Sequence, residues 1–314
     1  MKRLLKITCF LLFVVSNRVA VAQEETGEEN IANQETYVPK KGFRAGLYIG
    51  SYFANQYTAN MYDGYGFDID GNRNNWDNSL MNQKINMEYG GKGYAGQTDQ
   101  IAQVLNVDPQ SWTFGPTDMP TNMRYSPAIM LGLNCIYSVD VKNAIILNLN
   151  LTNLTANGNF TIITPLQANS TQINDRIKTF SIRGKEQRMM LQFGYQHLFG
   201  ESEKINWFVE GGLHGTLAKF SSNEVLINTL RIDLTSYYNN AFYSSALIYR
   251  KPIGFGLGVF AGAGVNINMN PKFTIQLLYN PTYERINIGV NPRLKFQHSV
   301  GLRAYYNFWD NGQN

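Results

Sequence analysis

Three histidines offer the first chemistry to look for. His197, His214 and His298 are the only imidazoles in the chain. A histidine beside a serine and a carboxylate is the constellation of nucleophilic hydrolysis. Only His298 has a serine next to it, Ser299. In an extended strand, neighbouring side chains point to opposite faces, so that pair does not meet. No catalytic residue is assigned, and each histidine reads as structural. A second string, Asp68, Asp70, Asn72 and Asn74, alternates like the start of a calcium loop. Gly71 comes before the position where such a loop needs its glycine, and no glutamate closes it. The string reads as a turn. There is no phosphate loop, dinucleotide fingerprint or Cys/His zinc spacing, so no metal and no cofactor is expected.

The elements carrying these residues follow a period of two. In the stretch 296–309, Val300, Leu302, Ala304, Tyr306 and Phe308 share one face. Ser299, Gly301, Arg303, Tyr305 and Asn307 share the other. The same alternation marks 43–53, 128–137, 144–154, 188–198, 207–220, 253–267 and 273–279. Connections between these segments alternate long and short. The long ones are 53–125, 156–187 and 221–252, with a modest one at 281–295; tight polar turns lie between. Small membrane barrels combine such turns on one side with longer loops on the other. The expected fold is therefore all-β: an eight-stranded antiparallel transmembrane β-barrel with long extracellular loops containing short helices. Ten strands are the alternative, if Leu230, Ile232 and Leu234 and part of the first loop join the sheet.

The loops have their own signals. Thr98 precedes Ile101, Val104 and Leu105 at helical spacing, which predicts a short capped helix. Ser221 and Glu224 form a capping-box pattern ahead of 225–234 and predict another, although that stretch also fits a strand. The pieces 160–164 and 179–183 extend their strands as a hairpin beyond the bilayer.

Composition sets further bounds. Residues 1–22 have a basic head (Lys2, Arg3, Lys6), an apolar core and an Ala20-Val21-Ala22 cleavage pattern, the signature of a secretory signal peptide. The formal charge is +4. Loss of Lys2, Arg3, Lys6 and Arg18 with the leader brings it to zero, so no basic patch points to nucleic acid. Cys135 is then the sole cysteine, which excludes an intrachain disulfide. Acidic residues 23–41 read as a flexible periplasmic segment, 42–309 as the barrel, and 310–314 as a C-terminal tail. An eight-stranded barrel is just wide enough for side chains to fill. Alternation sends Arg44, Glu210 and Arg303 inward near one end, where they form an ion-pair cluster or stand as separate solvated charges. Gln192, His214 and Gln276 are the expected lumenal polar groups. Tyr137, Trp207, Phe273, Phe308 and Trp309 are the expected aromatic girdle.

Gln23 after the cleavage pattern, the Asn- and Tyr-rich loops and the ending Tyr305-Tyr306-Asn307-Phe308-Trp309 resemble the outer-membrane β-barrel proteins of Bacteroidota, the PorT-like group. The likeness spans roughly 42–309 and rests on pattern rather than a diagnostic motif. The tail 310–314 departs from barrels that end on the aromatic residue. The resemblance implies residence in the bacterial outer membrane and, for some members, an accessory part in type IX secretion. The expected function is a non-enzymatic integral barrel in outer-membrane lipid. Its loop 53–125 would bind a protein partner or surface ligand, as an accessory of a secretion or uptake complex. Alternatives are a passive channel for apolar solutes, similar to OmpW-like barrels, and a barrel enzyme acting on lipid or peptide.

Overall fold

The computed structural model describes residues 42–68, 72–93, 96–166, 176–200, 202, 204–235, 253–270, 272–288 and 293–308. The expected leader 1–22, the segment 23–41, Asp70, Trp309 and the tail 310–314 lie outside the described residues. The strands are β1 (Gly42–Phe53), β2 (Arg124–Tyr125), β3 (Ala128–Ser138), β4 (Asn143–Ile163), β5 (Ile177–Phe199), β6 (Ile205–Ile227), β7 (Leu230–Asp233), β8 (Ile253–Asn270), β9 (Phe273–Asn287) and β10 (Leu294–Asn307).

Both strand counts read from the sequence have a counterpart. Among the described residues ten strands belong to the sheet, and eight of them close a ring in the order β1, β3, β4, β5, β6, β8, β9, β10. All pairings are antiparallel, and β10 returns to β1 with Arg44 opposite Asn307 and Phe53 opposite His298. β2 and β7 are short additions on β4 and β6 at the end of the ring that bears the long loops. Tight turns join β3 to β4, β5 to β6 and β8 to β9 at the other end. In the first of these, Asp140 accepts from the Asn143 side chain and the Lys142 amide, and these bonds hold its carboxyl below the ordinary range.

Closure leaves no strand edge of the ring bare. That is the condition for crossing hydrocarbon, where an unpaired backbone group costs several kcal/mol. Along each strand, outward residues near the turn end are large and apolar, such as Leu133 on β3 and Leu213 on β6, 58% and 68% exposed. Inward residues at the same height are buried polar groups, among them Asn148, Gln192 and Gln276.

β4, β5 and β6 have 21, 23 and 23 residues. A tilted strand spans the bilayer in about 9–11 residues, so the wall they build continues well beyond lipid. The two faces exchange character along one register line. Outward, Leu151 gives way to Asn153, Met189 to Gln187 and Leu217 to Lys219, with Asn153 paired to Gln187 and Gln187 to Lys219. Inward, beyond that line, Phe160, Ile162, Ile182, Phe220, Val225 and Ile227 are buried. They pack against the described residues between 54 and 127, which form an ordered cap. The cap consists of a 3-10 helix (Gln56–Tyr62), a π-helical segment (Asn82–Tyr89), the helix α1 (Gln100–Leu105) and a 3-10 turn (Pro116–Asp118). Tyr62, Met81, Ile85, Ile101 and Trp112 supply its side of the shared core.

Several local readings are corrected. The helix expected after Ser221 does not form. β6 runs on to Ile227, turns through Asn228 at φ 51°, and returns as β7. Val225, Ile227, Ile232 and Leu234 alternate into the cap core, and that burial outweighs the capping signal. α1 is capped by Asp99 rather than Thr98, because the Asp99 side chain accepts from Ala102 N and also holds Trp112 Nε1. Strands also run further than 156–187, 221–252 and 281–295 suggest as loops. β9 continues through Pro281, opposite His298. Proline has no amide hydrogen for a ladder, and the β8–β9 pairing skips from Phe260–Thr282 to Ala263–Tyr279 there.

The lipid-facing assignment predicts the effect of a charge. Leu133→Arg is expected to destabilise the barrel in lipid vesicles by about 2–4 kcal/mol, read by urea unfolding. Thr155→Arg, on the same face beyond the register line, is expected to cost under about 0.5 kcal/mol. Equal costs would move the membrane boundary.

Candidate functional site

Three polar assemblies lie on the barrel axis or at its loop end. Nearest the turns, β6 and β10 place Glu210 and Arg303 inward. Arg303 Nη1 and Nη2 donate to Glu210 Oε2 and Oε1 at 2.7 and 2.8 Å, a bidentate pair with both side chains buried. Gln196 Nε2 adds a bond to Glu210 at 3.1 Å. Arg44, the third member of the expected cluster, donates to Ser138 Oγ at 2.9 Å. Of the expected lumenal groups, Gln276 donates to Asn266 at 3.1 Å. Gln192 Oε1 accepts from Asn148 and Asn280, and its Nε2 lies 3.2 Å from His214 Nδ1.

Higher in the lumen, His214 Nε2 lies 2.9 Å from Thr216 Oγ1 and 3.4 Å from Glu284 Oε2. A hydroxyl, an imidazole and a carboxylate thus meet, as in a hydrolase. All three residues are almost fully buried, however, and substrate has no access to them. His298 points outward, stacked on Phe53 at 4.8 Å, while Ser299 is buried inside. The neighbours diverge as the alternation requires. His197 Nδ1 lies 2.6 Å from Asn143 Oδ1 in the first turn, a structural contact.

At the register line a second ion pair joins wall to cap. Arg188 Nε donates to Glu186 Oε1 at 2.5 Å, and both side chains have 0% exposure. Arg188 also donates to Gln297 on β10 at 2.6 Å, Tyr52 at 3.1 Å and Thr58 at 2.8 Å. Glu186 accepts from the hydroxyls of Tyr62 at 3.0 Å and Tyr125 at 2.6 Å. One buried pair therefore holds the end of β1, the first cap helix and β2 against β5 and β10. Alternation places Arg188 inward, but reading 156–187 and 281–295 as loops hides Glu186 and Glu284. Continuing the inward parity from Arg188 to Glu186 and Gly184 is the signal that finds the partner.

Over this pair the cap opens a cleft of about 500 Å³, lined by Tyr57, Met61, Asp63, Tyr65, Arg73 and Met119 among others. Arg73 Nε and Nη2 donate to Asp63 Oδ2 at 3.1 and 2.7 Å, and the guanidinium lies 3.7 Å over the Tyr65 ring. Burial pushes the Asp63 carboxyl up, against the opposing pull of Arg73. Lys295 and Arg293 flank the Tyr57 ring at 4.9 and 5.7 Å. Cations thus lie over both tyrosine rings, and the positive charge they bring to the cleft suits an anionic group. In the calcium-like string, Asp68 accepts from the Asn72 amide and side chain. Among the described residues no group of three metal-ligating side chains occurs.

On the outer surface Tyr137, Trp207, Phe273 and Phe308 are all exposed near the turn end, with Phe308 6.4 Å from Phe43 and 5.4 Å from Tyr306. A second aromatic group, Phe53, Tyr279, Phe296 and His298, marks the other edge.

The lock between cap and wall has a direct test. Arg188→Leu leaves the Glu186 carboxylate buried without its cation, at a cost of about 3–5 kcal/mol. The expected result is protease cleavage within 54–127 while the barrel keeps its compact mobility on an unheated gel. A cap as resistant as in the parent protein would show that the apolar core alone holds it.

No protein-family model matches the chain, and no curated protein matches it. Among solved structures, it is similar to Ail, the attachment invasion locus protein of Yersinia pestis, at 12% identity and a TM-score of 0.33. That match covers 85% of this chain and 99% of that one. It is similar to the outer membrane protein OprG of Pseudomonas aeruginosa at 10% identity and a TM-score of 0.37, covering 86% and 97%. AlkL in lipid bilayers matches at 9% identity and a TM-score of 0.29, covering 92% and 100%. The fold itself stands on the closed ladder of eight strands.

Proposed function

We propose that this chain is a non-enzymatic integral barrel of the bacterial outer membrane whose ordered cap presents a cleft to a protein partner or surface ligand. The turns and both ends of the ring then face the periplasm, and the cap faces outside. The observation that carries the reading is the Arg188–Glu186 pair, which fastens residues 54–127 across a lumen already filled by side chains. A mouth sealed in this way favours recognition over transport. The resemblance of the loops and the aromatic ending to the PorT-like group accords with an accessory place in a secretion or uptake complex.

The channel reading needs a continuous passage, and two buried ion pairs stand across its course. The enzyme reading needs an accessible nucleophile, and Thr216 and His214 are enclosed. Two measurements test the proposal together. The purified barrel is expected to give no steady conductance in planar bilayers. Tyr57→Ala combined with Arg73→Ala is expected to abolish copurification of the partner identified from mildly solubilised membranes, with the barrel still folded. A conducting barrel, or a cleft variant that keeps its partner, would overturn it.

A further inference from the structure

The cleft over the Arg188–Glu186 pair combines an excess of positive charge with an apolar lining. Three cations stand at it: Arg73 over Tyr65, and Lys295 and Arg293 against Tyr57. The one carboxylate among its lining residues is Asp63, and both of its oxygens are bonded. Oδ2 accepts from Arg73 Nε and Nη2, and Oδ1 accepts from the Tyr65 amide at 3.0 Å. These bonds fix the guanidinium without covering it, since the Arg73 side chain keeps 45% exposure. Lys295 and Arg293 make no ion pair among the described residues. Glu284 stands opposite Lys295 in the β9–β10 ladder. Its carboxylate is held elsewhere, accepting from Gln297 at 2.5 Å and lying 3.4 Å from His214 inside the lumen. Asp68 and Asp118, next in sequence to lining residues, are bonded as well: Asp68 to Asn72, Asp118 to the Gly115 amide and the Thr161 hydroxyl.

Much of the remaining lining is apolar. Met61, Met119, Pro120 and Ile288 are buried there, and methionine adapts its shape to varied apolar groups. Asn60 and Thr121 add hydrogen-bond donors and acceptors. A sugar, rich in hydroxyls, calls for open ring faces and many polar partners. Here each lining tyrosine already carries a cation, and few polar side chains are at hand. A volume of about 500 Å³ also exceeds a lone phosphate or sulfate.

We infer that the cleft receives a peptide segment of a partner protein in which carboxylates adjoin apolar side chains. The carboxylates meet Arg73, Lys295 and Arg293. The apolar side chains enter between Met61, Met119 and Ile288, and Asn60 and Thr121 bond the peptide backbone. Charge complementarity selects an acidic partner, and the buried lining selects one that is not merely acidic. The inference rests on the reading of the cleft as a recognition site and names what it recognises.

The test uses the full barrel in detergent and a short labelled peptide of alternating glutamate and leucine, read by fluorescence anisotropy against empty micelles. The peptide is expected to bind, more weakly as salt rises. Replacing its glutamates by glutamine, or its leucines by serine, is expected to weaken binding about tenfold or more. Arg293→Gln with Lys295→Gln is expected to weaken it by a similar factor, and Arg293→Lys with Lys295→Arg to restore it. Lys142→Gln with Lys204→Gln, at the turn end, is expected to bind like the parent. Oleate and polygalacturonate are expected not to displace the peptide. Heat-modifiable gel mobility reports folding of each variant. The assignment is overturned by absence of binding, indifference to salt, equal binding of the glutamine or serine peptide, or equal binding by the folded glutamine variant. Loss in the turn-end control or in the charge-keeping variant, or displacement by oleate or polygalacturonate, overturns it too. The recognition reading fails separately, through a conducting barrel or a Tyr57→Ala, Arg73→Ala variant that keeps its partner, whatever the peptide does.

Discussion

A sheet that leaves lipid for water has to exchange its two faces, and Arg188 and Glu186 stand where this chain does so. On the lipid side of that line, apolar groups belong outside and polar groups inside. Beyond it, apolar groups belong inside, as in any water-soluble core. A buried ion pair is seldom a net source of stability against an apolar replacement, because desolvation offsets the attraction. Here its value is positional. The guanidinium and the carboxylate each collect cap and wall donors or acceptors, so only one docking of residues 54–127 satisfies both.

The molecule thus has two cores of different kinds. The lower one is a polar network of side chains from several strands, closed by Glu210 and Arg303 and interleaved with small apolar clusters such as Ile136, Ile146 and Phe260. The upper one is apolar and is shared between the wall and the cap. Each side of the upper core is unstable in water alone: the wall would expose Phe160, Ile182 and Phe220, the cap Ile85, Ile101 and Trp112. The long strands exist to reach the cap, which explains why β4, β5 and β6 exceed the length that lipid requires.

Much of the ring was legible because a period of two with one lipid-facing side writes itself plainly, as in Leu131, Leu133, Cys135 and Tyr137. The parity of Glu210 and Arg303 followed from the same rule. The upper wall was harder, because there the apolar residues change sides while the polar outward ones resemble a loop. Glu186 and Glu284 were hidden for that reason. Pro281 and the Ser221–Glu224 pattern misled in another way: each is a local signal, and long-range pairing overrode it. Nothing in one sequence reveals that Tyr52 and Gln297, 245 positions apart, share a proton donor in Arg188.

The seam between β1 and β10 carries a kinetic consequence. Every other junction of the ring joins strands that follow one another or are separated by a single excursion of the chain, whereas this one brings the first strand to the last. Non-local pairing waits on the entropy of closing so large a loop, so the cylinder zips shut late. Until then both flanks of a half-built sheet offer bare amides and carbonyls to any neighbouring polypeptide. Export of such a chain calls for an escort that shields those flanks until the last strand arrives.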